Sequence, residues 1–190
     1  MAGPNRCAKY IARVAIDAAR RGGPDAIADG IPAARDVLGE ESEVAMILVQ
    51  ISDTHIDEPG VLAHGRFDTS RSLAKAVAVI NAMDPGPDFV LHTGDIAAHG
   101  GVARYRAFKA ITDALQAPMA VIPGNHDDRD ALREVLGGTP ALPATGEFLH
   151  FVIEDYAVRM ICCDSVIAGE TPGEMCAARL AWLDGRLREA

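Results

Sequence analysis

The chain has 190 residues, of which 49% are hydrophobic and 24% are charged, and its formal net charge is −9. This length fits one domain that can bury a sizeable core. The acidic balance excludes broad electrostatic binding of nucleic acid, because an acidic surface repels phosphate backbones. It would also repel a small phosphate ligand unless bound cations lie between the ligand and the protein.

The sequence contains no apolar run near the ~20 residues that a membrane-spanning helix needs, so a membrane partner is not expected. Near the N-terminus, Lys9, Arg13 and Asp17 interrupt any signal-peptide core, which favours a cytoplasmic location. The four cysteines lack paired spacings such as C-x-x-C. They are interpreted as small buried hydrophobes in a reducing compartment rather than as zinc ligands.

Residues 1–44 differ from the rest of the chain. Segments 8–21 and 27–38 have helical composition, and Gly22, Gly23 and Pro24 separate them. Two interpretations stay open. The segment is either a helical extension before a domain over residues 45–190, or an artefact of the gene model with Met46 as the natural start.

The main part of the chain alternates apolar strands with amphipathic helices. Strands are predicted over 46–51, 89–92 and 118–122, and helices over 70–83, 102–115 and 128–136. Asp68 or Thr69 is expected to cap the first helix. A hairpin over 148–154 and 158–163 and a final helix over 176–188 follow. The alternation predicts an α/β fold with a mostly parallel sheet flanked by helices.

Each of the three strands runs directly into polar residues. Asp53 and His55 follow the first strand, Asp95 follows the second, and Asn125 and His126 follow the third. Side chains at positions i and i+2 of an extended chain point the same way, so Asp53 and His55 are expected to face one ion together. Ligands of such sheets bind beyond the carboxyl ends of the strands, so the three motifs are interpreted as one site.

The residue types at these strand ends suit divalent cations. The two carboxylate oxygens of Asp95 could bridge two ions, and Asn125 offers a neutral amide oxygen that does not repel a phosphate. A mixed oxygen and nitrogen set favours Mn, Fe, Zn or Co over Ca. Two ions ~3.5–4 Å apart would activate a shared water and neutralise charge at phosphorus. His126 could protonate the leaving group or bind the phosphate, and His99 could contact the substrate.

Three segments carry a family resemblance: ISDTHI (51–56), HTGDIAAHG (92–100) and IPGNHDDR (122–129). They resemble the first three motif blocks of the calcineurin-like metallophosphoesterases, and most closely those of the bacterial class III cyclic-nucleotide phosphodiesterases. The resemblance begins near Met46 and runs to the C-terminus. It implies the N-terminal part of a four-layer α/β/β/α sandwich.

The resemblance also implies a role for each site residue. Asp53 and His55 would bind the first of two divalent metal ions, Asp95 would bridge both, and Asn125 would bind the second. His126 would contact the phosphate or protonate the leaving group. A metal-bridging hydroxide would then hydrolyse a small phosphate ester, with phosphodiesters such as 3′,5′-cyclic nucleotides among the candidates.

The chain departs from this family at its C-terminal end. The family completes its site with later histidines and a Gly-His-x-His block, whereas this sequence ends at Ala190 without one. The domain is therefore expected to be incomplete, and exposed apolar surface would make it aggregation-prone or dependent on a partner. Two alternatives to an active enzyme fragment stay open: an inactive remnant or interaction module that binds at most one metal weakly, or a homo-oligomer whose partner chain supplies ligands.

Overall fold

Three short apolar segments form a parallel sheet with the strand order β1-β2-β3. The structure is a computed structural model that describes residues 46–63, 65–138 and 142–189, so the predicted extension over residues 1–44 lies outside it. The strands are β1 (Leu48–Ile51), β2 (Phe89–His92) and β3 (Met119–Val121). Leu48 pairs with Phe89 and Ile51 with His92, which places the carboxyl ends of β1 and β2 side by side.

A helix follows each strand of this sheet, as the alternating pattern predicts. These helices are α1 (Thr69–Asn81), α2 (Val102–Thr112) and α3 (Arg129–Leu136). Asp68 caps α1 by accepting a hydrogen bond from the Arg71 N–H, and Asp128 caps α3 by accepting one from the Ala131 N–H, both at 2.8 Å. Helix α2 contacts both α1 and α3.

The core lies between the sheet and these helices and is mainly aliphatic. Its strand and helix members include Val49, Ile51, Val90, Val121, Leu73, Val77, Ile80, Tyr105, Phe108, Leu132 and Leu136. Ile111 of α2 is only partly buried against this core. The predicted parallel sheet flanked by helices is confirmed. The four-layer sandwich stays a prediction.

The C-terminal part of the described chain forms an antiparallel hairpin and a last helix. The hairpin pairs β4 (Phe151–Ile153) with β5 (Met160–Cys162), and α4 spans Ala177–Arg188. Among the described residues, no helix is long and apolar enough to cross a membrane.

Helix α4 buries an arginine rather than its leucines. Leu180 and Leu187, which recur at helical spacing, are 51% and 56% exposed, whereas Arg179 is only 5% exposed. Arg179 donates hydrogen bonds to the Val166 carbonyl, at 2.6 Å, and to the Glu174 carbonyl. These bonds offset part of the cost of burying the guanidinium, whose buried Nε has no hydrogen-bond partner. The helical spacing of these leucines therefore does not mark the face of α4 that packs inward.

One ion pair attaches this part of the chain to α3, and one ring stack joins its own hairpin and helix. The buried Asp164 carboxylate accepts two hydrogen bonds from Arg129 of α3, from Nε at 2.6 Å and from Nη2 at 2.8 Å. Trp182 of α4 stacks on His150, with ring centroids 4.6 Å apart. The backbone N–H of Asp164 donates to His150 Nδ1 at 2.9 Å, so His150 is a packing residue between the hairpin and α4.

Candidate metal centre

The loops after β1 and β2 run side by side beyond the sheet. The Asp53 N–H donates to the Gly94 carbonyl and the His55 N–H donates to the Asp95 carbonyl, each at 3.0 Å. These hydrogen bonds continue the parallel pairing of β1 and β2 past the strand ends. They bring Asp53 and His55 of the first motif next to Asp95 of the second.

The backbone at this point is strained at three residues that carry candidate ligands. Asp53, His55 and Asp95 have φ values of 56°, 41° and 54°. Left-handed conformations are uncommon for residues other than glycine, cost ~1–3 kcal/mol each and cluster at functional sites. The prediction that an extended chain aligns Asp53 with His55 is wrong, because β1 ends at Ile51 and the following residues turn in left-handed conformations.

Despite this turn, the ligand atoms converge. His55 Nε2 lies 3.8 Å from Asp53 Oδ1 and 3.9 Å from Asp95 Oδ2. Two ligands that each lie ~2.1 Å from one ion cannot be more than ~4.2 Å apart, so both separations fit a shared cation. Ser52 Oγ donates to Asp53 Oδ2 at 2.6 Å and helps to orient this exposed carboxylate.

His126 of the third motif completes the cluster. One potential ligand atom from each of His55, Asp95 and His126 lies within 4.8 Å of the others. The His126 backbone N–H donates to Asp95 Oδ1 at 3.1 Å, and its Nδ1 lies 2.8 Å from the Ala98 carbonyl. Because a carbonyl only accepts, Nδ1 carries the proton, and Nε2 of the neutral ring keeps its lone pair for a cation or a proton.

The other predicted site residues lie around this cluster. Asn125 is exposed and lines a cavity of about 300 Å³ together with Asp53 and Asp95. His99 lies beside His126, with ring centroids 6.1 Å apart. All five residues predicted from the motifs, and His99, therefore surround one region beyond the carboxyl ends of β1, β2 and β3.

Asp127 is a structural organiser of the site that sequence reasoning missed. Its buried carboxylate accepts hydrogen bonds from the N–H groups of Ile96, Ala97 and Gly124 and from the Tyr105 hydroxyl, at 2.8–3.1 Å. Burial raises the pKa of Asp127, and these hydrogen bonds oppose that shift. Asp127 thereby joins the second loop to the third. Its three-residue spacing from Gly124, typical of a side chain that binds a nearby N–H, is the signal that could have identified it.

The buried His92 supports the first two loops of the site through hydrogen bonds. The Gly94 N–H donates to His92 Nδ1 at 3.3 Å, so Nε2 carries the proton and donates to Thr54 Oγ1 at 3.0 Å. Thr54 in turn donates to the Ile96 carbonyl at 2.9 Å. Burial lowers the pKa of His92 to about 3, which keeps the ring neutral. His92 is therefore a packed, hydrogen-bonded residue.

Two glycines permit the close approach of the second and third loops. Gly94 has a φ of 107°, and a Cβ there would lie 2.7 Å from Gly124 Cα. A Cβ at Gly124 would overlap the backbone nitrogen and Oδ1 of Asp95. The missing side chain of Gly94 therefore leaves space for the neighbouring loop.

We expect Gly124→Ala to destabilise the protein by ~1–3 kcal/mol or more, because the added methyl group must displace the backbone at Asp95. The matched control is Gly185→Ala in α4, where a Cβ meets no atom within 4 Å. That change should stabilise the protein by ~0.5–1 kcal/mol, since alanine is the better helix former. Urea denaturation measures both variants. Equal midpoints for Gly124→Ala and the unmodified protein would contradict the close packing of the loops.

Comparison of the sequence with known proteins identifies a matching family and several relatives. The family model described as calcineurin-like phosphoesterase matches residues 46–165. A probable glycerophosphodiester phosphodiesterase, GpdQ of Arcobacter nitrofigilis, is 38% identical over 144 residues, which are 76% of this chain and 52% of that protein. The 3′,5′-cyclic adenosine monophosphate phosphodiesterase CpdA of Pseudomonas aeruginosa is 31% identical over 133 residues, 70% of this chain and 46% of that protein.

A third relative, a probable cyclic nucleotide phosphodiesterase of Rhodopseudomonas palustris, is 35% identical over 147 residues, 76% of this chain and 53% of its own. The chain thus spans about half the length of the curated relatives it matches. The matched residues include all three loops of the candidate metal centre.

Proposed function

Because the chain belongs to the calcineurin-like phosphoesterase family, as its three loop motifs predicted, we propose that it acts in the metal-dependent hydrolysis of small phosphodiesters. The observation that carries this proposal is the convergence of His55, Asp95 and His126 from three separate loops. Enzymes of this family use divalent metal cofactors, and the donor set of carboxylate oxygens and imidazole nitrogens fits such ions.

The number and identity of the ions are part of the proposal. Asp53 and His55 would hold one cation, Asp95 would bridge to a second, and Asn125 would bind the second. The separations of 3.8 and 3.9 Å from His55 Nε2 to the two carboxylates support the first of these positions. The proposed metals are Mn, Fe, Zn or Co. When bound, they would supply positive charge at the phosphate and an activated water.

The protein's own residues would then bind and orient the ester. Asn125 and His126 would contact the phosphoryl oxygens, and His99 would contact the substrate near them. The Ala98 carbonyl fixes the ring of His126 through Nδ1, which leaves Nε2 to hold a proton and donate it to the leaving oxygen. The left-handed conformations of Asp53, His55 and Asp95 would fix the positions of their own carboxylate and imidazole groups before substrate binds.

The substrate class is proposed from the relatives. One is named for glycerophosphodiesters and two for cyclic nucleotides, so small phosphodiesters are the shared chemistry. Cytoplasmic location and a homo-oligomeric state are sequence-based predictions that belong to the same proposal. Size-exclusion chromatography with light scattering tests the oligomeric state.

Metal removal and restoration test the proposed function. We expect the protein to hydrolyse bis(p-nitrophenyl) phosphate with Mn²⁺, to lose this activity after treatment with EDTA, and to regain it with Mn²⁺, Co²⁺ or Zn²⁺ but not with Ca²⁺. Titration calorimetry with Mn²⁺ reports binding independently of turnover. Binding of one ion without any turnover would support the remnant interpretation instead. Turnover that persists in EDTA would contradict the metal-dependent mechanism.

A further inference from the structure

A cavity of about 600 Å³ opens directly beside the candidate metal centre. Asp53, His55 and His126 form one side of it. The lining also includes an apolar wall that contains Leu62 and Phe67 from the loop after β1 and Leu73 from α1. A group covalently attached to a phosphate at the metal centre would therefore reach this wall. The volume falls within the ~300–1,000 Å³ typical of small-molecule sites.

The hydroxyl groups that line this cavity have their hydrogens directed into the protein. The Ser52, Thr54, Thr69 and Ser72 hydroxyls donate to Asp53 Oδ2, the Ile96 carbonyl, the His55 carbonyl and the Asp68 carbonyl, at 2.6–3.1 Å. A ligand hydroxyl that enters the cavity would lose water and find none of these four hydrogens free. A ligand group that only accepts hydrogen bonds therefore gains none from these hydroxyls.

The Asp57 carboxylate at the edge of the cavity also has hydrogen-bond partners within the protein. Asp57 Oδ1 accepts from the Glu58 N–H at 2.8 Å and from Arg104 Nε at 2.7 Å. The Asp57 carboxylate is therefore paired with the Arg104 guanidinium, at 2.7 Å. Asp57 therefore does not offer an unpaired charge to a ligand. What this side of the cavity offers is apolar surface.

Leu62 and Phe67 expose this apolar surface in the segment between β1 and α1. Leu62 is 43% exposed and Phe67 is 49% exposed. The Ala63 N–H donates to the Phe67 carbonyl at 2.8 Å, and the Phe67 N–H donates to the Ala63 carbonyl at 3.0 Å. This pair of hydrogen bonds closes the loop and holds Phe67 at the cavity. Exposed apolar side chains grouped beside a polar site are a common mark of ligand binding.

We infer that this cavity binds an aromatic ester group of the substrate, so that the protein prefers aryl phosphodiesters over diesters with a small or polar group at the same position. The inference rests on the proposed function, because the metal centre places the phosphate. A phenyl ring would bury its faces against Phe67, Leu62 and Leu73. A methyl group is too short to reach them, and a glycerol group has less apolar surface to bury against them.

The test compares two diesters with the same leaving group, phenyl 4-nitrophenyl phosphate and methyl 4-nitrophenyl phosphate. With Mn²⁺, the ratio of kcat/KM for phenyl over methyl is expected to fall ~10-fold in the double variant Leu62→Ser/Phe67→Ser, the loss that follows from removing one apolar contact surface. Val61→Ser is the matched control. Val61 is 49% exposed on the same loop but lies outside the cavity lining. The Val61→Ser variant should therefore keep the phenyl-to-methyl ratio of kcat/KM of the unmodified protein.

A binding measurement separates failure of this inference from failure of the proposed function. Calorimetry with Mn²⁺ compares phenylphosphonate with methylphosphonate and requires no turnover. Tighter binding of phenylphosphonate that disappears in the double variant supports the cavity assignment even if no diester is hydrolysed. An unchanged kcat/KM ratio, or equal affinities for the two phosphonates in the unmodified protein, would overturn it. Circular dichroism checks that the variants, which change only half-exposed side chains, remain folded.

Discussion

Asp95→Asn is expected to weaken Mn²⁺ binding by at least ~100-fold and to remove metal-dependent hydrolysis, because even residues that merely support a ligand contribute ~10–100-fold. The substitution is conservative in every other respect. Asparagine tolerates the left-handed conformation found at this position, where φ is 54°. Its amide oxygen can still accept the hydrogen bond that the His126 N–H donates to Asp95 Oδ1. The change therefore isolates the negative charge between the proposed ions.

The control for this experiment is an exposed carboxylate remote from the cluster. Asp113, at the end of α2, pairs with Lys109 at 2.6 Å on the surface. Asp113→Asn should leave both Mn²⁺ affinity and the hydrolysis of bis(p-nitrophenyl) phosphate unchanged. Calorimetry and initial rates measure the two variants side by side. If Asp95→Asn bound Mn²⁺ as tightly as the unmodified protein, the assignment of Asp95 as a ligand would be wrong.

Asp164→Ala is expected to reduce the free energy of unfolding by ~3–5 kcal/mol, the usual cost of removing one partner of a buried ion pair. The Asp164 side chain is fully buried and accepts two hydrogen bonds from Arg129. It also accepts from the N–H groups of Leu149 and Val166, each at 2.9 Å. Alanine would leave all these donors without their acceptor. Guanidinium chloride denaturation measures the change.

A surface pair is the matched control for the buried one. Asp184 and Arg188 lie one turn apart on α4 with a separation of 2.8 Å, and both side chains are exposed. Asp184→Ala should cost no more than ~0.5 kcal/mol, because water competes for exposed charges. A cost for Asp164→Ala as small as this would show that the Arg129–Asp164 contact does not hold the hairpin to α3.

The same carboxylate makes a pH-dependent contribution to stability. Burial alone would raise the pKa of Asp164, but the hydrogen bonds from Arg129, Leu149 and Val166 outweigh burial and lower it. A carboxyl whose pKa is lower in the folded state stabilises the protein above its unfolded pKa, and this contribution is lost as the pH falls through the folded value. The stability difference between the unmodified protein and Asp164→Ala should therefore be largest at neutral pH and shrink below about pH 4. A difference that stayed constant on acidification would contradict this account.

The elements that sequence reasoning located correctly depend on local signals. Residues 89–92 were predicted as a strand and form β2, since four apolar or aromatic positions suffice to define a buried strand. Asp68 and Asp128 fix the starts of α1 and α3 through capping bonds to residues three positions later. The helix predicted over 102–115 instead ends at Thr112. Helix ends are weakly marked because the last turn lacks its own hydrogen-bond partners.

Part of the site could also be predicted from the sequence, because the sheet topology groups the three motifs. A parallel sheet places the carboxyl ends of its strands at one edge, so the order of the motifs was enough to group Asp53, His55, Asp95, Asn125 and His126. The sequence did not indicate how Asp53 and His55 converge, because their left-handed conformations depend on hydrogen bonds to Gly94 and Asp95 of another loop. Nor did it indicate the role of Asp127, whose carboxylate binds residues about 30 positions earlier.

What the sequence alone determined about this protein is the order of its strands and helices, the capping position of α1 to within Asp68 or Thr69, and the set of chemical groups at the strand ends. These depend on periodicity and on contacts within a few residues. Only the tertiary structure decided that Arg179 rather than Leu180 is buried, that Gly94 and Gly124 accommodate each other, and that Leu62 and Phe67 border the metal centre. Each of these results depends on which distant groups satisfy a buried polar atom or occupy a space, and such pairings leave no local pattern in the chain.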